Sequence, residues 1–229
     1  MLTKPSCKNT FILVGADKGG VGKTTFSRLL LEYLAQYPCS MRVFDTEPGP
    51  GVLRRFWPSA EQINLADPID QAKVIDGLGA ARVTLVDIRA GLLSPTLHLF
   101  QRIGLEHGVE AHLAVFHVLG NTIASFGEIA TTAAMLKNNG DHIIVKNHTN
   151  AGAFVDVEDK IASLGPETNI IDIGNLEAVA AERVDQRSQT FADFTSDKTN
   201  SRTIRGITRS WYDASFAELN QAGVNALVS

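Results

Sequence analysis

Apolar residues in this chain fall into short continuous runs, separated by stretches of helical periodicity. Phe11-Ile12-Leu13-Val14-Gly15 is the first run and ends in glycine. Phe26, Leu29, Leu30, Tyr33, Leu34 and Tyr37 then recur at three- and four-residue steps, which predicts a helix. Met41 to Asp45 reads as a short strand ending in a carboxylate, and Pro48-Gly49-Pro50-Gly51 forbids regular structure and makes a loop. Ile69 to Leu78 predicts a short helix. Arg82 to Asp87 predicts a third strand with another terminal carboxylate. Ala111 to Val118 is a near-continuous apolar strand of the buried kind. Ile123, Phe126, Ala130 and Ala134 mark a helix that stops around Asn138-Asn139-Gly140. His142 to Lys146 and Asn169 to Ile173 are the remaining strands. Helical patterns follow from Leu176, with a break near Ser196-Asp197-Lys198. Strands alternating with helices predict an α/β fold: a doubly wound, mostly parallel sheet with helices on both faces, in a single domain over 1–229. Ligands in such folds sit at the carboxyl ends of the strands, where Asp45, Asp87 and the first interstrand loop fall.

That loop reads Asp17-Lys18-Gly19-Gly20-Val21-Gly22-Lys23-Thr24-Thr25. Lying between a strand and a helix, it has the context of a phosphate-binding loop. Glycines at 19, 20 and 22 let the backbone curl until several N–H groups point at one phosphate. The helix that begins near Gly22 adds its free N–H groups and the positive end of its dipole. Gly19 to Thr25 are therefore the expected nucleotide-binding residues. Lys23 would meet the β- and γ-phosphates of ATP, and the Thr24 hydroxyl a Mg²⁺ ion. The general pattern G-x-x-x-x-G-K-[ST] wants glycine where this chain has Asp17. The variant with an early lysine, K-G-G-x-x-K-[ST], is matched in full from Lys18 to Thr24.

On that variant the chain resembles the ParA/MinD family of deviant Walker A P-loop ATPases. The resemblance implies the P-loop NTPase fold, ATP and Mg²⁺ as ligands, and an ATP-held homodimer. In that dimer Lys18 would reach across to the nucleotide of the other subunit. Asp87, after Val83-Thr84-Leu85-Val86, looks like the Walker B aspartate that holds a Mg²⁺-bound water. The family usually continues with prolines and glycine. This chain has Ile88-Arg89-Ala90-Gly91, and Arg89 reads either as a phosphate contact or as a surface ion pair. Asp45-Thr46-Glu47-Pro48 resembles the family segment Asp-x-Asp-Pro, whose second aspartate orients the attacking water. Glu47 stands there instead. It keeps the charge but moves the carboxylate outward by a methylene, and small displacements are costly in rate. Asp45 is expected to stay near the metal. Asn147, after Ile143-Ile144-Val145, is either the family's adenine reader or an asparagine suited to a turn.

Arg202, Arg205 and Arg209 recur at three and four residues and share one face of a helix, with Ile204, Ile207 and Trp211 roughly opposite. Arg202 and Arg205 lie near the helix start, where the dipole disfavours cations, so helix stability alone does not explain them. They are either a solvated face or, as in ParA-type ATPases, a surface for non-specific DNA, with Lys198 near enough in sequence to join them. The segment from Ala217 to Ser229 has no lysine or arginine and does not look like the basic membrane anchor of the MinD branch.

Composition narrows the rest. At 229 residues, 44% hydrophobic and 20% charged, the chain suits one globular α/β domain. A net charge of −4 means that any nucleic-acid binding needs a local patch. Two cysteines, Cys7 and Cys39, without a C-x-x-C, point to a reducing, cytoplasmic compartment and away from a zinc site or an iron–sulfur carrier. Met1 to Thr10 is polar, and no apolar run approaches the ~20 residues of a membrane span. The six histidines show no ligand spacing; His112 and His117 face opposite sides of a strand. The expected protein is a ParA-like ATPase that segregates or positions DNA or other cargo through an adaptor. A nucleotide-gated interaction module with little hydrolysis, and a P-loop kinase or ligase with an acceptor pocket beside the γ-phosphate, are the alternatives.

Overall fold

The computed structural model describes residues 9–49, 51–103, 111–121, 123–136, 140–149, 154 and 169–228. The expectations on Cys7, Pro50 and Asn138-Asn139 lie outside them. At the centre is β1 (Asn9–Gly15). On one side of it the sheet continues through β4 (Val83–Asp87), β2 (Met41–Asp45) and the two-residue β3 (Glu61–Gln62). On the other side lie β5 (Ala111–Leu119), β6 (Asp141–Asn147) and β7 (Asn169–Ile173). All six pairings of this seven-stranded sheet are parallel. The chain completes one side before crossing β1 to build the other, and that change of direction opens a crevice at the carboxyl end of β1.

The helices are α1 (Lys23–Leu34), α2 (Pro68–Ile75), α3 (Leu93–Arg102), α4 (Ile123–Leu136), α5 (Ala178–Arg187), α6 (Phe191–Ser196) and α7 (Arg202–Gln221). Alternation along β1 divides the core. Ile12 and Val14 face a cluster containing Phe26, Leu30, Val184, Phe191, Trp211 and Leu219 from α1 and the C-terminal helices. Phe11 and Leu13 face Val74 of α2, Leu93, Leu97 and Phe100 of α3, and Met135 and Leu136 of α4. A strand covered on both faces needs an unbroken apolar run, and Phe11 to Val14 are at most 1% exposed.

The predicted helix from Ile69 is observed one residue earlier. Asp67 caps it, accepting the Ile69 N–H at 2.8 Å, and Pro68 occupies a first-turn position that needs no N–H. The sequence reading missed α3. Its signal is the burial spacing Leu93, Leu97, Phe100, masked by Ser94-Pro95, which fit because they sit in the first turn. It also missed the break at Ser188, which adopts a left-handed φ of 50° between α5 and α6. After α7, a 3₁₀ turn over Val224–Val228 buries Val224 and Leu227 in the core, and Thr10 Oγ1 donates to the Leu227 carbonyl at 2.6 Å.

The C-terminal helices are locked to α1 by aromatic and buried charged groups. The Arg28 guanidinium lies 3.4 Å from the centre of the Phe56 ring and 4.4 Å from that of Phe191. Burial draws its pKa down to about 10. Phe191 also packs on Trp211 at 4.9 Å. Glu32 accepts the N–H groups of Phe191 and Ala192 at 2.7 and 2.9 Å, where the dipole of α6 favours a carboxylate. Phe191→Ala is expected to cost ~3–5 kcal/mol through the cavity and the lost ring contacts. The midpoint of urea unfolding measures it, and a loss below ~1 kcal/mol would mean that the C-terminal helices contribute little to the cooperative core.

Candidate functional site

Gly15 closes β1, and the chain curls from Ala16 to Gly22 before α1 begins at Lys23. Gly20 and Gly22 hold φ of 74° and 84°, which L side chains resist. Gly22 is the N-cap and has no side chain to spend on the first-turn N–H groups, so these remain for a ligand. A Cβ on Gly22 would also lie 2.1 Å from Asn147 Nδ2. That amide, at the end of β6, donates to the Val21 carbonyl at 2.8 Å and is buried. Asn147 therefore braces the loop.

The departure at Asp17 has a structural account. Its carboxylate receives the Ser94 N–H at 3.2 Å and the Ser94 hydroxyl, both in the first turn of α3. Its own N–H donates to Glu128 Oε2 of α4 at 2.8 Å. The same Glu128 oxygen lies 3.4 Å from Nε2 of the fully buried His117. His117 Nδ1 is in turn 3.3 Å from His142 Nε2, and burial beside His117 holds the His142 pKa down to about 3. Ser94 and Glu128 were missed in the sequence, where they carry no motif and belong to distant elements; His117, read there as a histidine without ligand spacing, is a core residue.

Thr24 and Asp87 meet as expected. Thr24 Oγ1 donates to Asp87 Oδ2 at 2.8 Å, and Ser27 Oγ, one turn on, donates to Oδ1 at 2.9 Å. The spacing of Thr24 and Ser27 on one helix face was a readable signal for Ser27. Burial pushes the Asp87 pKa up to about 7, against the pull of both hydroxyls. Lys23 Nζ bends back to the Lys18 carbonyl at 3.0 Å. Burial lowers its pKa, while Asp87, Glu47, Glu128 and Asp17 act to raise it. A hydroxyl beside one buried carboxylate, with room for phosphate oxygens, is a donor set that fits Mg²⁺. No cluster of three or more His, Cys, Asp or Glu able to cage a metal occurs among the described residues.

Glycines 19, 20 and 22, Lys23, Thr24, Thr25, Asp45, Glu47, Asp87 and Arg89 line one cavity of about 330 Å³. Glu47 is exposed at its rim. Asp45 is buried, and its two oxygens accept the N–H groups of Glu47 and Leu53, each at 2.9 Å. It folds the loop that carries Glu47. Thr46 Oγ1 donates to the Asp87 carbonyl at 3.0 Å and accepts the Arg89 N–H at 2.8 Å, lacing the loops after β2 and β4 together. Lys18 is exposed on the loop. A second cavity of about 460 Å³, lined by Thr46, Gln62, Asn64, Asp70 and others, shares Arg89 with the first.

The arginines of α7 are not equivalent. Arg202 and Arg209 are exposed. Arg205 is half-buried, with an Nε that has no hydrogen-bond partner among the described residues. Arg28 in the second turn of α1 donates to the Gln189 carbonyl at 3.3 Å, and the Asn200 amide just before α7 donates to Gln189 Oε1 at 3.1 Å. Tyr33 near the end of α1 donates to Asn220 near the end of α7 at 2.6 Å. The two helices thus run the same way, and α7 begins on the phosphate-loop end of the molecule.

No family model and no curated protein matches the sequence. Solved structures do. The chain is similar to the MinD cell division protein of Aquifex aeolicus, with 17% identity over 88% of this chain and 95% of that one and a TM-score of 0.54. It is similar to the septum site-determining protein MinD of Pyrococcus horikoshii OT3, complexed with Mg-ADP: 14% identity, 88% and 95% covered, TM-score 0.56. A ParA family ATPase from Chlorobium tepidum TLS matches at 13% identity, 90% and 98% covered, TM-score 0.54. At these identities the likeness is one of fold: the chain has the P-loop NTPase fold of the MinD and ParA-family ATPases, as the loop motif implied.

Gly22→Ala is expected to remove the rise in melting temperature that a Mg²⁺–nucleotide complex gives the parent, because the methyl group displaces the Asn147 brace and φ is wrong for alanine. A melting shift equal to the parent's would show that the loop can relax around a side chain.

Proposed function

We propose that the chain is a Mg²⁺-dependent ATPase of the ParA/MinD type, which binds ATP, dimerises on it and cleaves it to ADP and phosphate. The observation that carries this reading is the uncapped N-terminus of α1 behind a braced glycine loop, facing the half-buried Thr24 and its buried partner Asp87. Free N–H groups and the helix dipole suit a phosphate chain, and Lys23 stands beside them. Thr24 would hold Mg²⁺ directly and Asp87 through a water, and the ion would supply charge neutralisation to the phosphate chain. Glu47 accepts a hydrogen bond from the attacking water, and Asp45 keeps the Glu47 loop folded. The extra methylene of glutamate makes turnover slow. Lys18, exposed on the loop, serves the nucleotide of the second protomer.

The ATP-bound dimer then engages an adaptor or cargo, and DNA without sequence preference through Arg202 and Arg209. Arg205 supports that helix from its half-buried position. Positioning or segregation of DNA or another large cargo is the corresponding role. The 460 Å³ cavity beside Arg89 supports a second reading, in which the γ-phosphate passes to a small-molecule acceptor. Phosphate release that needs no added small molecule favours the ATPase; strict dependence on an acceptor favours the second reading. No helix among the described residues is long and apolar enough to cross a membrane.

Lys23→Ala is expected to lose ATP binding in calorimetry, since it removes the ammonium beside the phosphates. In sedimentation the parent should be monomeric with ADP and dimeric with a slowly hydrolysed ATP analogue. Lys18→Ala should stay monomeric with both; a Lys18→Ala dimer with normal turnover would rule out action in trans. For DNA, Arg202→Glu/Arg209→Glu should abolish retention of duplex at low salt and leave ATP binding intact. Arg205 is left unchanged there, because a glutamate at a half-buried position would test folding instead. Parent-like retention by the double variant would make the stripe a solvated face.

A further inference from the structure

We propose that Arg89 is a second cation, besides Lys23, with which this chain contacts the γ-phosphate of its own nucleotide, so that the site favours ATP over ADP. The inference rests on the ATP-binding reading above and assigns that site a residue the loop motif does not contain. Arg89 lies two positions beyond Asp87, on the loop leaving β4, and lines the same cavity as the phosphate loop.

Its backbone is fastened and its side chain is not. The Arg89 N–H is held by Thr46 Oγ1, the preceding Ile88 N–H donates to the Val14 carbonyl at 2.8 Å, and the Arg89 carbonyl accepts the Leu92 N–H at 3.3 Å. The Cα is thus placed relative to β1, β2 and β4 together. The residue is exposed, and among the described residues its guanidinium has no ion-pair partner. Three arginines elsewhere in the fold are occupied: Arg28 between two rings, Arg42 on the Gly77 carbonyl at 3.0 Å, and Arg55 on Asp185 at 3.3 Å.

Charge in the cavity makes the same point. Its lining carries three carboxylates, Asp45, Glu47 and Asp87, against two cations, Lys23 and Arg89. Lys23 lies inside the loop, with its ammonium on the Lys18 carbonyl. A triphosphate would bring further negative charge into this carboxylate-rich lining, in which Arg89 is the remaining cation. Guanidinium also matches two phosphate oxygens at once, which an ammonium does not.

Calorimetric titration of the full chain with Mg²⁺–ADP and with a Mg²⁺-bound non-hydrolysable ATP analogue tests this, using the parent, R89A and R89K. R89A is expected to bind the analogue roughly 10- to 100-fold more weakly while ADP affinity is unchanged. R89K should recover part of the loss, restoring charge without the fork. Equal loss for both nucleotides would overturn the proposal, since a terminal-phosphate contact cannot weaken ADP. Parent-like affinity of R89A for the analogue would also overturn it and leave Arg89 to the neighbouring cavity. Failure of the underlying reading looks different: there the parent itself binds neither nucleotide.

Discussion

A loop that offers its N–H groups to a phosphate cannot use them to hold itself together. That constraint organises this structure. The curl from Ala16 to Gly22 forgoes the hydrogen bonds of a strand or helix, so its shape has to be imposed from outside. Asn147 grips the Val21 carbonyl, Glu128 takes the Asp17 N–H, and the Asp17 carboxylate clasps the first turn of α3. Each brace comes from a different element, and all reach the loop because β1 is central and parallel to its neighbours. An antiparallel neighbour would have carried its loop to the other edge of the sheet.

Asp87 is the second fixed point. A carboxylate buried at the end of β4 is costly to ionise, and two hydroxyls from α1 offset part of that cost. The residual penalty is one that a divalent cation would relieve. The same strand end organises its surroundings: Thr46 bonds the Asp87 carbonyl and holds Arg89, while Asp45 folds the loop as far as Leu53. From there the chain reaches Arg55, which binds Asp185 and Ser188 at the end of α5, and Gln189 ties that corner to Asn200 before α7. A continuous set of contacts therefore runs from the carboxylates of the cavity to the start of the arginine-bearing helix.

Much of this was legible in the residues. The strands were readable because a parallel sheet buried on both faces demands unbroken apolar runs. The loop was readable because its requirements are local: glycines for the curl, a lysine and a hydroxyl at set distances. The edge strand β3 was not, since Glu61-Gln62 makes only a short pairing with β2 and no apolar pattern. Helix α3 was hidden by a proline that is harmless in a first turn.

Sequence by itself determined the order of the long strands, the phosphate loop and the strand-end carboxylates, because periodicity and loop chemistry are properties of contiguous residues. Only the tertiary structure decided which groups Asp17, Asn147 and Asp45 bond to. Each is a polar side chain with several chemically equal options, and its partner comes from a segment far along the chain. It also separated Arg205 from Arg202 and Arg209. Three residues at helical spacing share a face, but how far that face turns toward the body is set by Thr208, Trp211, Ser215 and Leu219, which the helix buries. Hydrogen-bond and burial partners are settled by which strands lie side by side, and that is a property of the assembled sheet.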